Sequence, residues 1–197
     1  MNVSEKIGYL QFLANKYGDF KVTYSKLKPS GEIFFMKWRS VLECSESEKG
    51  LKFLEMANHR EPLKNEIFLD IDCDSTLKSE YYMNVICDFL EQENINKKGE
   101  LNLYRAYKSG SKGHHIHFYS KKMMTYSKKE KQEIRGKLLK LFSFLDVDPL
   151  KDSDHHMIAM ENTKHWKTGN QKTIIRYNYD LINDEYVGEV YTDGFSG

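Results

Sequence analysis

The chain has 197 residues, is 40% hydrophobic and 13% aromatic, and balances 30 Lys and Arg against 29 Asp and Glu for a net charge of +1. That length gives one domain, or two small lobes around a shared core, and the composition excludes intrinsic disorder. No apolar run approaches membrane-spanning length, and the N-terminus lacks the basic and apolar pattern of a signal peptide. Cys44, Cys73 and Cys87 stand apart with no C-x-x-C, which argues against zinc and fits a reducing, cytoplasmic compartment.

Val3, Ile7, Leu10, Ala14 and Tyr17 recur at helical spacing and Gly18 follows as a stop, predicting a first amphipathic helix. Phe20, Val22 and Tyr24 alternate, Pro29-Ser30-Gly31 turns, and Glu32 to Val41 is rich in β-formers, predicting a hairpin. Ser45-x-x-Glu48 resembles a capping box that opens a short helix to about Ala57, and Asn58 to Lys64 reads as a polar loop. Ile67-Phe68-Leu69 reads as a buried strand ending in Asp70-Ile71-Asp72. Tyr82, Val85, Ile86, Phe89 and Leu90 form a helical stripe, Asn94 to Gly99 a turn, and Leu101 to Tyr107 and His114 to Ser120 two strands. Ser127-x-x-Glu130 is a second capping box, opening a helix with Ile134, Leu138, Leu141, Phe142 and Leu145 on its apolar face. Met157 to Met160 and Thr173 to Tyr177 read as short strands. The alternation predicts an α+β (α/β) domain with a mixed sheet: an N-terminal lobe to about residue 65, a core over 66–177 and a polar tail over 178–197.

Charge is unevenly spread. From Arg105 to Lys140 there are eleven Lys and Arg against Glu130 and Glu133, and Lys164, Lys167, Lys172 and Arg176 follow with no acid between them. Glu43 to Glu100 is acid-rich. A basic half beside an acidic centre suits a polyanionic partner. Three stretches carry chemistry. Alternation along the strand puts Asp70 and Asp72 on one face, where they repel unless a cation lies between them. Hard Mg²⁺ or Mn²⁺ ions take such oxygen ligands. In Ser109-Gly-Ser-Lys-Gly-His-His-Ile-His117, Gly110 and Gly113 allow a tight turn and close approach of phosphate oxygens to backbone N–H groups. Ser109 and Ser111 add hydroxyls there, and Lys112 a point charge. Asp146, Asp148, Asp152 and Asp154 crowd a loop, followed by His155, His156 and then His165-Trp-Lys-Thr-Gly169, where His165 and Lys167 could both face a triphosphate.

The order of these motifs, D-x-D, then S-G-x-K-G-x-H, then an acid, then H-x-K-T-G, resembles the catalytic core of the archaeo-eukaryotic primase (AEP) superfamily over Ile67 to about Arg176. The resemblance implies two apposed lobes, one RNA-recognition-like and packed on an N-terminal α/β lobe, with the active site in the cleft. It implies a primase-polymerase that makes or extends primers on single-stranded DNA from NTPs or dNTPs, alone or with a larger subunit or fused domains. Asp70, Asp72 and Asp148 match the ligands of two Mg²⁺ or Mn²⁺ ions; Asp148 lies 17 residues before His165, with Asp146 as the fallback. Ser109, Ser111, Lys112, Gly113, His115, His165 and Lys167 fall where the family binds nucleotide. Lys121, Lys122, Lys128, Lys129 and Arg176 are candidates for nucleic-acid phosphates. Where the family often reads R-L-P-G-S, this chain has Ala159-Met160-Glu161-Asn162-Thr163, so an arginine contact must come from elsewhere, with Arg176 a candidate. The family's zinc module is absent, and the chain resembles a minimal catalytic core or a segment of a longer protein. A two-metal nuclease or phosphoesterase and a non-catalytic primase-like subunit are the alternatives.

Overall fold

The computed structural model describes residues 2–96, 101–145, 158–165 and 168–191. The first helix, α1 (Val3–Tyr17), opens on Asn2, whose side chain and Glu5 form a capping box, and buries Leu10, Leu13, Ala14 and Tyr17. Gly18 ends it at φ +88°. There follow β1 (Lys21–Thr23), β2 (Ser25–Leu27), β3 (Ile33–Phe35), β4 (Arg39–Ser40), α2 (Val41–Ser45), α3 (Glu48–Met56) and β5 (His59–Arg60). The turn at Pro29 to Gly31 joins β2 to β3 as an antiparallel hairpin. Two local readings change. Ser45 ends α2, its hydroxyl returned to the Val41 carbonyl, and Ser47 caps α3 by accepting from the Gly50 N–H. The stretch expected as a polar loop holds β5, which pairs with β1 and β9 (Ile158–Ala159) and buries Arg60 completely.

The core comprises β6 (Glu66–Ile71), α4 (Thr76–Asn96), β7 (Leu103–Lys108), β8 (His114–Tyr119), a 3-10 turn (Lys121–Thr125), α5 (Lys128–Leu141), β10 (Thr173–Asp180) and β11 (Glu185–Tyr191). Its sheet runs β11-β10-β7-β8-β6. Every ladder is antiparallel, so the expected mixed sheet is corrected: β8 inserts between β6 and β7, which α4 connects, as a split βαβ unit. The RNA-recognition fold adds its fourth strand beside the first; here β10 joins β7, beside the second, and β6 is the last strand of the sheet among the described residues. The expected tail is also corrected in part. Residues 178–191 finish β10 and form β11, with Tyr179 only 1% exposed.

Alternation gives the sheet two unlike faces. Leu69, Ile71, Ile116, Phe118, Tyr104 and Ala106 pack on Met83, Ile86, Cys87 and Leu90 of α4. The opposite face is polar and aromatic. Register brings Phe68 to His117 and Asp70 to His115, while Arg105 and Tyr107 oppose the same two histidines from β7. The N-terminal lobe covers part of this face, with Tyr119 joining its apolar cluster. The lobe is also tied to the far end of the chain: the Tyr17 hydroxyl donates to the Leu181 carbonyl at 2.7 Å and lies 3.2 Å from that of Tyr179, while Lys16 donates to the Ile182 carbonyl. No helix among the described residues is long and apolar enough to cross a membrane.

Candidate active site

Asp70 lies near the C-terminal end of β6, its side chain one-third exposed, and Asp72 lies just beyond the strand, exposed. The Ser109–Gly113 turn joins β7 to β8, closed by the Ser109 N–H donating to the Gly113 carbonyl at 3.0 Å. Gly113 sits against the end of β6: a Cβ there would lie 3.0 Å from the Ile71 carbonyl oxygen and 3.7 Å from the Asp72 Cα. Gly110, at φ +85°, sits against a second turn; its Cβ would lie 2.8 Å from the Asn170 carbonyl oxygen and 3.0 Å from the His165 Cβ. Glycine is required at Gly110, and a side chain at Gly113 would push the β6 end away by a few tenths of an ångström. The second turn is tied by the His165 N–H to the Asn170 carbonyl and by the Thr168 hydroxyl to the Gly110 carbonyl. Three separated sequence stretches thus meet in space.

The turn between them is anchored from α4. The Ser79 hydroxyl lies 2.6 Å from the Lys112 carbonyl and 2.8 Å from Nδ1 of His114. A carbonyl only accepts, so the hydroxyl donates to it and takes a bond from Nδ1–H, which fixes the His114 tautomer. Burial lowers the His114 pKa to about 4, keeping that imidazole neutral. Ser111 donates its N–H to the Ser109 hydroxyl, and the exposed Lys112 reaches the Asp74 carbonyl at 3.4 Å. His115 Nε2 is 3.5 Å from Asp70. Burial, then the charge of Lys172, holds the His115 pKa well below the usual imidazole range. Its Nδ1 is buried with no hydrogen-bond partner among the described residues.

Behind this opening lies a buried ionic cluster that the sequence did not reveal. The Arg60 guanidinium donates to both Glu66 oxygens, at 2.5 and 2.9 Å, and to Glu161 at 2.8 Å. Glu66 also accepts from His117 Nδ1 at 2.5 Å, from the Tyr119 hydroxyl and from the Leu63 N–H. Because a carboxylate accepts, His117 carries its proton on Nδ1, leaving Nε2 to accept from Lys172 at 3.0 Å. Lys172 also donates to the Ala159 carbonyl and lies 4.7 Å over the Tyr107 ring. Burial lowers His117 to about 4 and Lys172 to about 8. Burial alone would raise Glu161, but Arg60 and Lys172 outweigh it and hold that carboxyl at about 2. Glu66, His117 and Glu161 offer ligand atoms within 4.8 Å of one another, so by distance they could hold an ion. Arg60 and Lys172 already balance both carboxylates, and a divalent ion would add uncompensated charge in a buried place.

The remaining predicted residues separate. Asp146, Asp148, His155, His156 and Lys167 lie outside the described residues. Arg176 is corrected: it is 2% exposed, ion-paired to Asp88 of α4 at 2.8 Å, and opposite Ala106, which packs on the α4 face. It therefore neither reaches the site nor meets a nucleic-acid backbone. Lys121 is exposed and paired with Asp184 at 3.2 Å, and Lys122, Lys128 and Lys129 are exposed around the start of α5. The cluster could have been suspected from Glu66 heading an apolar run. Arg60, Glu161 and Lys172, however, acquire their meaning only from partners distant in sequence.

Asp70 and Asp72 form a hard-oxygen donor set of the kind Mg²⁺ or Mn²⁺ takes, beside a neutral histidine with a buried, unmatched nitrogen. The turn glycines next to them pack against the β6 end and the His165 turn, which holds Lys112 and the serine hydroxyls beside the two carboxylates. Asp70 and Asp72 fit divalent ions, and the hydroxyls and Lys112 fit a phosphate-bearing ligand. No family model and no curated protein matches this chain. Among solved structures, the polymerase domain of Mycobacterium tuberculosis Ligase D in complex with DNA is similar at 13% identity and a TM-score of 0.44, covering 96% of this chain and 80% of that one. A likeness of that size assigns neither family nor activity, so the functional reading rests on this chain's own residues.

Proposed function

We propose that this chain is a template-directed nucleotidyltransferase of the AEP type, a primase-polymerase working on single-stranded DNA. The observation that carries the reading is the convergence at one place of the β6 end, the Ser109–Gly113 turn and the His165–Gly169 turn, packed through Gly113 and Gly110. Their order in the sequence is that of the superfamily. Asp70 and Asp72, with Asp148 as third ligand, would hold two Mg²⁺ or Mn²⁺ ions, which activate the attacking 3′-hydroxyl and neutralise the triphosphate. The hydroxyls of Ser109 and Ser111 donate hydrogen bonds to the phosphates, and Lys112 adds a positive charge. His115, kept neutral, orients the incoming nucleotide, His165 holds its triphosphate from the opposite turn, and Lys167 is a further triphosphate ligand by its place in the sequence motif. Lys172 supplies the buried positive charge behind the site that Arg176 does not. Lys121, Lys122, Lys128 and Lys129 follow the template phosphates without reading bases.

The test is synthesis on unprimed single-stranded DNA with labelled nucleotides, with Mg²⁺ and Mn²⁺ supplied separately and Asp70→Asn/Asp72→Asn as control. Short labelled products that vanish in the control establish a primase and report its sugar preference. Products only when a primer is supplied make it an extending polymerase. Metal-dependent degradation of DNA without nucleotides would overturn the reading in favour of a nuclease. Wild-type protein with neither activity and no metal uptake at Asp70 and Asp72 would leave a binding subunit.

A further inference from the structure

A cavity of about 510 Å³ lies beside β6, between the N-terminal lobe and the start of α5. Five cationic side chains line it, Lys21, Lys64, Lys128, Lys131 and Arg135, against three acidic ones. All three acids are already engaged. Asp19 accepts from the Ser40 hydroxyl and the Leu42 N–H, Glu61 accepts from the Lys21 N–H, and Glu66 is held by Arg60. Lys21, Lys64 and Lys128 have no ion pair among the described residues, although all three are exposed. Gly18 makes room for one of them: a Cβ at that position would lie 2.8 Å from Nζ of Lys64. The inner wall is aromatic. Phe20 and Phe68 are buried there, the Arg135 guanidinium lies 5.4 Å over the Phe68 ring, and Tyr126 is half-buried nearby.

We propose that this cavity binds a nucleoside phosphate, its phosphates on the lysines and its base against the half-buried Tyr126 ring. The volume lies in the range of small-ligand sites. The charge excess selects an anion, and Tyr126, the lining ring that is not buried, gives a planar group a stacking surface. Phe68, in the cavity wall, precedes Asp70 by two residues on the same strand face, about 7 Å along the strand. The inference does not require that site to transfer nucleotides.

Equilibrium dialysis of the whole chain against radiolabelled ATP in EDTA tests it, because chelation silences ion-dependent binding at Asp70 and Asp72. ATP should bind, equally well to Asp70→Asn/Asp72→Asn and to Lys137→Glu, a charge reversal outside the cavity. Lys64→Glu/Lys128→Glu should weaken binding about tenfold or more, with its thermal midpoint checked against wild type. Lys21→Glu, at a third exposed position, should act in the same direction if the double variant folds poorly. No binding in EDTA, unchanged affinity in the lysine variants, or loss in the aspartate variant would each overturn the proposal. Displacement by inorganic phosphate as effective as by unlabelled ATP would overturn the role of Tyr126. A single-stranded oligothymidylate that competes with ATP identifies the occupant as a nucleotide of a bound strand, and one that does not identifies it as a free nucleotide.

Discussion

One strand carries carboxylates near both of its ends, and the two ends are built on opposite principles. Glu66, at the start of β6, is fully buried and surrounded by four donors: Arg60 of β5, His117 and Tyr119 of β8, and the Leu63 N–H. Asp70, one residue from its end, is one-third exposed beside a neutral histidine, with Asp72 open to solvent just beyond. A carboxylate whose protons and cations the protein supplies holds structure together. A carboxylate pair left exposed, beside a turn that carries a lysine and two hydroxyls, is arranged for a partner from outside.

That contrast breaks most sharply under substitution. Asp70→Asn/Asp72→Asn should abolish nucleotide incorporation while moving the urea unfolding free energy by no more than about 0.5 kcal/mol; full activity in this variant would sink the metal assignment. Glu66→Ala should do the reverse at the level of folding. Removing one partner of a buried ion pair costs about 3–5 kcal/mol, read as a shift of the urea midpoint. A stable Glu66→Ala protein would mean that the cluster is not structural.

Acidification sharpens the same contrast. Burial depresses His114 and His117 to about 4, whereas the unfolded chain takes up those protons near the ordinary imidazole value. Stability is therefore complete above pH ~6.5 and lost as pH falls toward ~4, by about 2 kcal/mol per histidine at pH ~5. Urea midpoints at the two pH values check this, and His117→Gln should remove part of the loss. The smallest effect belongs to the joint between the turns. Gly110→Ala forces a side chain at φ +85° against the Asn170 carbonyl, at a cost of about 1–2 kcal/mol. It should raise KM for nucleotide more than it lowers the unfolding midpoint would suggest. His115→Ala extends the series: nucleotide affinity should fall while template affinity holds, measured by separate titrations.

The sequence exposes the outer end of this contrast and conceals the inner one. Asp70, Ser109 to Gly113 and His165 sit in short motifs whose spacing has a local reason: strand alternation, a glycine turn, a second glycine turn. Arg60 sits in a stretch that reads as an exposed loop, and Glu161 in one where only a missing arginine draws attention. Buried charges are recognised by their partners, and Arg60 and Glu161 are 101 positions apart. Arg176 fails as a site residue for a related reason. The register shift between Ile174 and Arg176 turns it toward α4, and a bulge of that kind leaves no mark in the residue pattern. Ser47 takes the cap assigned to Ser45 because α2 claims Ser45 first.

The bond between Tyr17 and Tyr179 spans 162 positions, and its consequence belongs to biosynthesis. On the ribosome, α1 emerges before β10 and β11, and Tyr17 cannot meet its final partners until that hairpin has been made. At common elongation rates that interval is roughly 10–30 s. Throughout it, Tyr17 lacks its bonds to Tyr179 and Leu181, and the nascent chain presents that end of α1 to chaperones before it presents a finished cleft. Slow, late closure of this kind follows from high contact order.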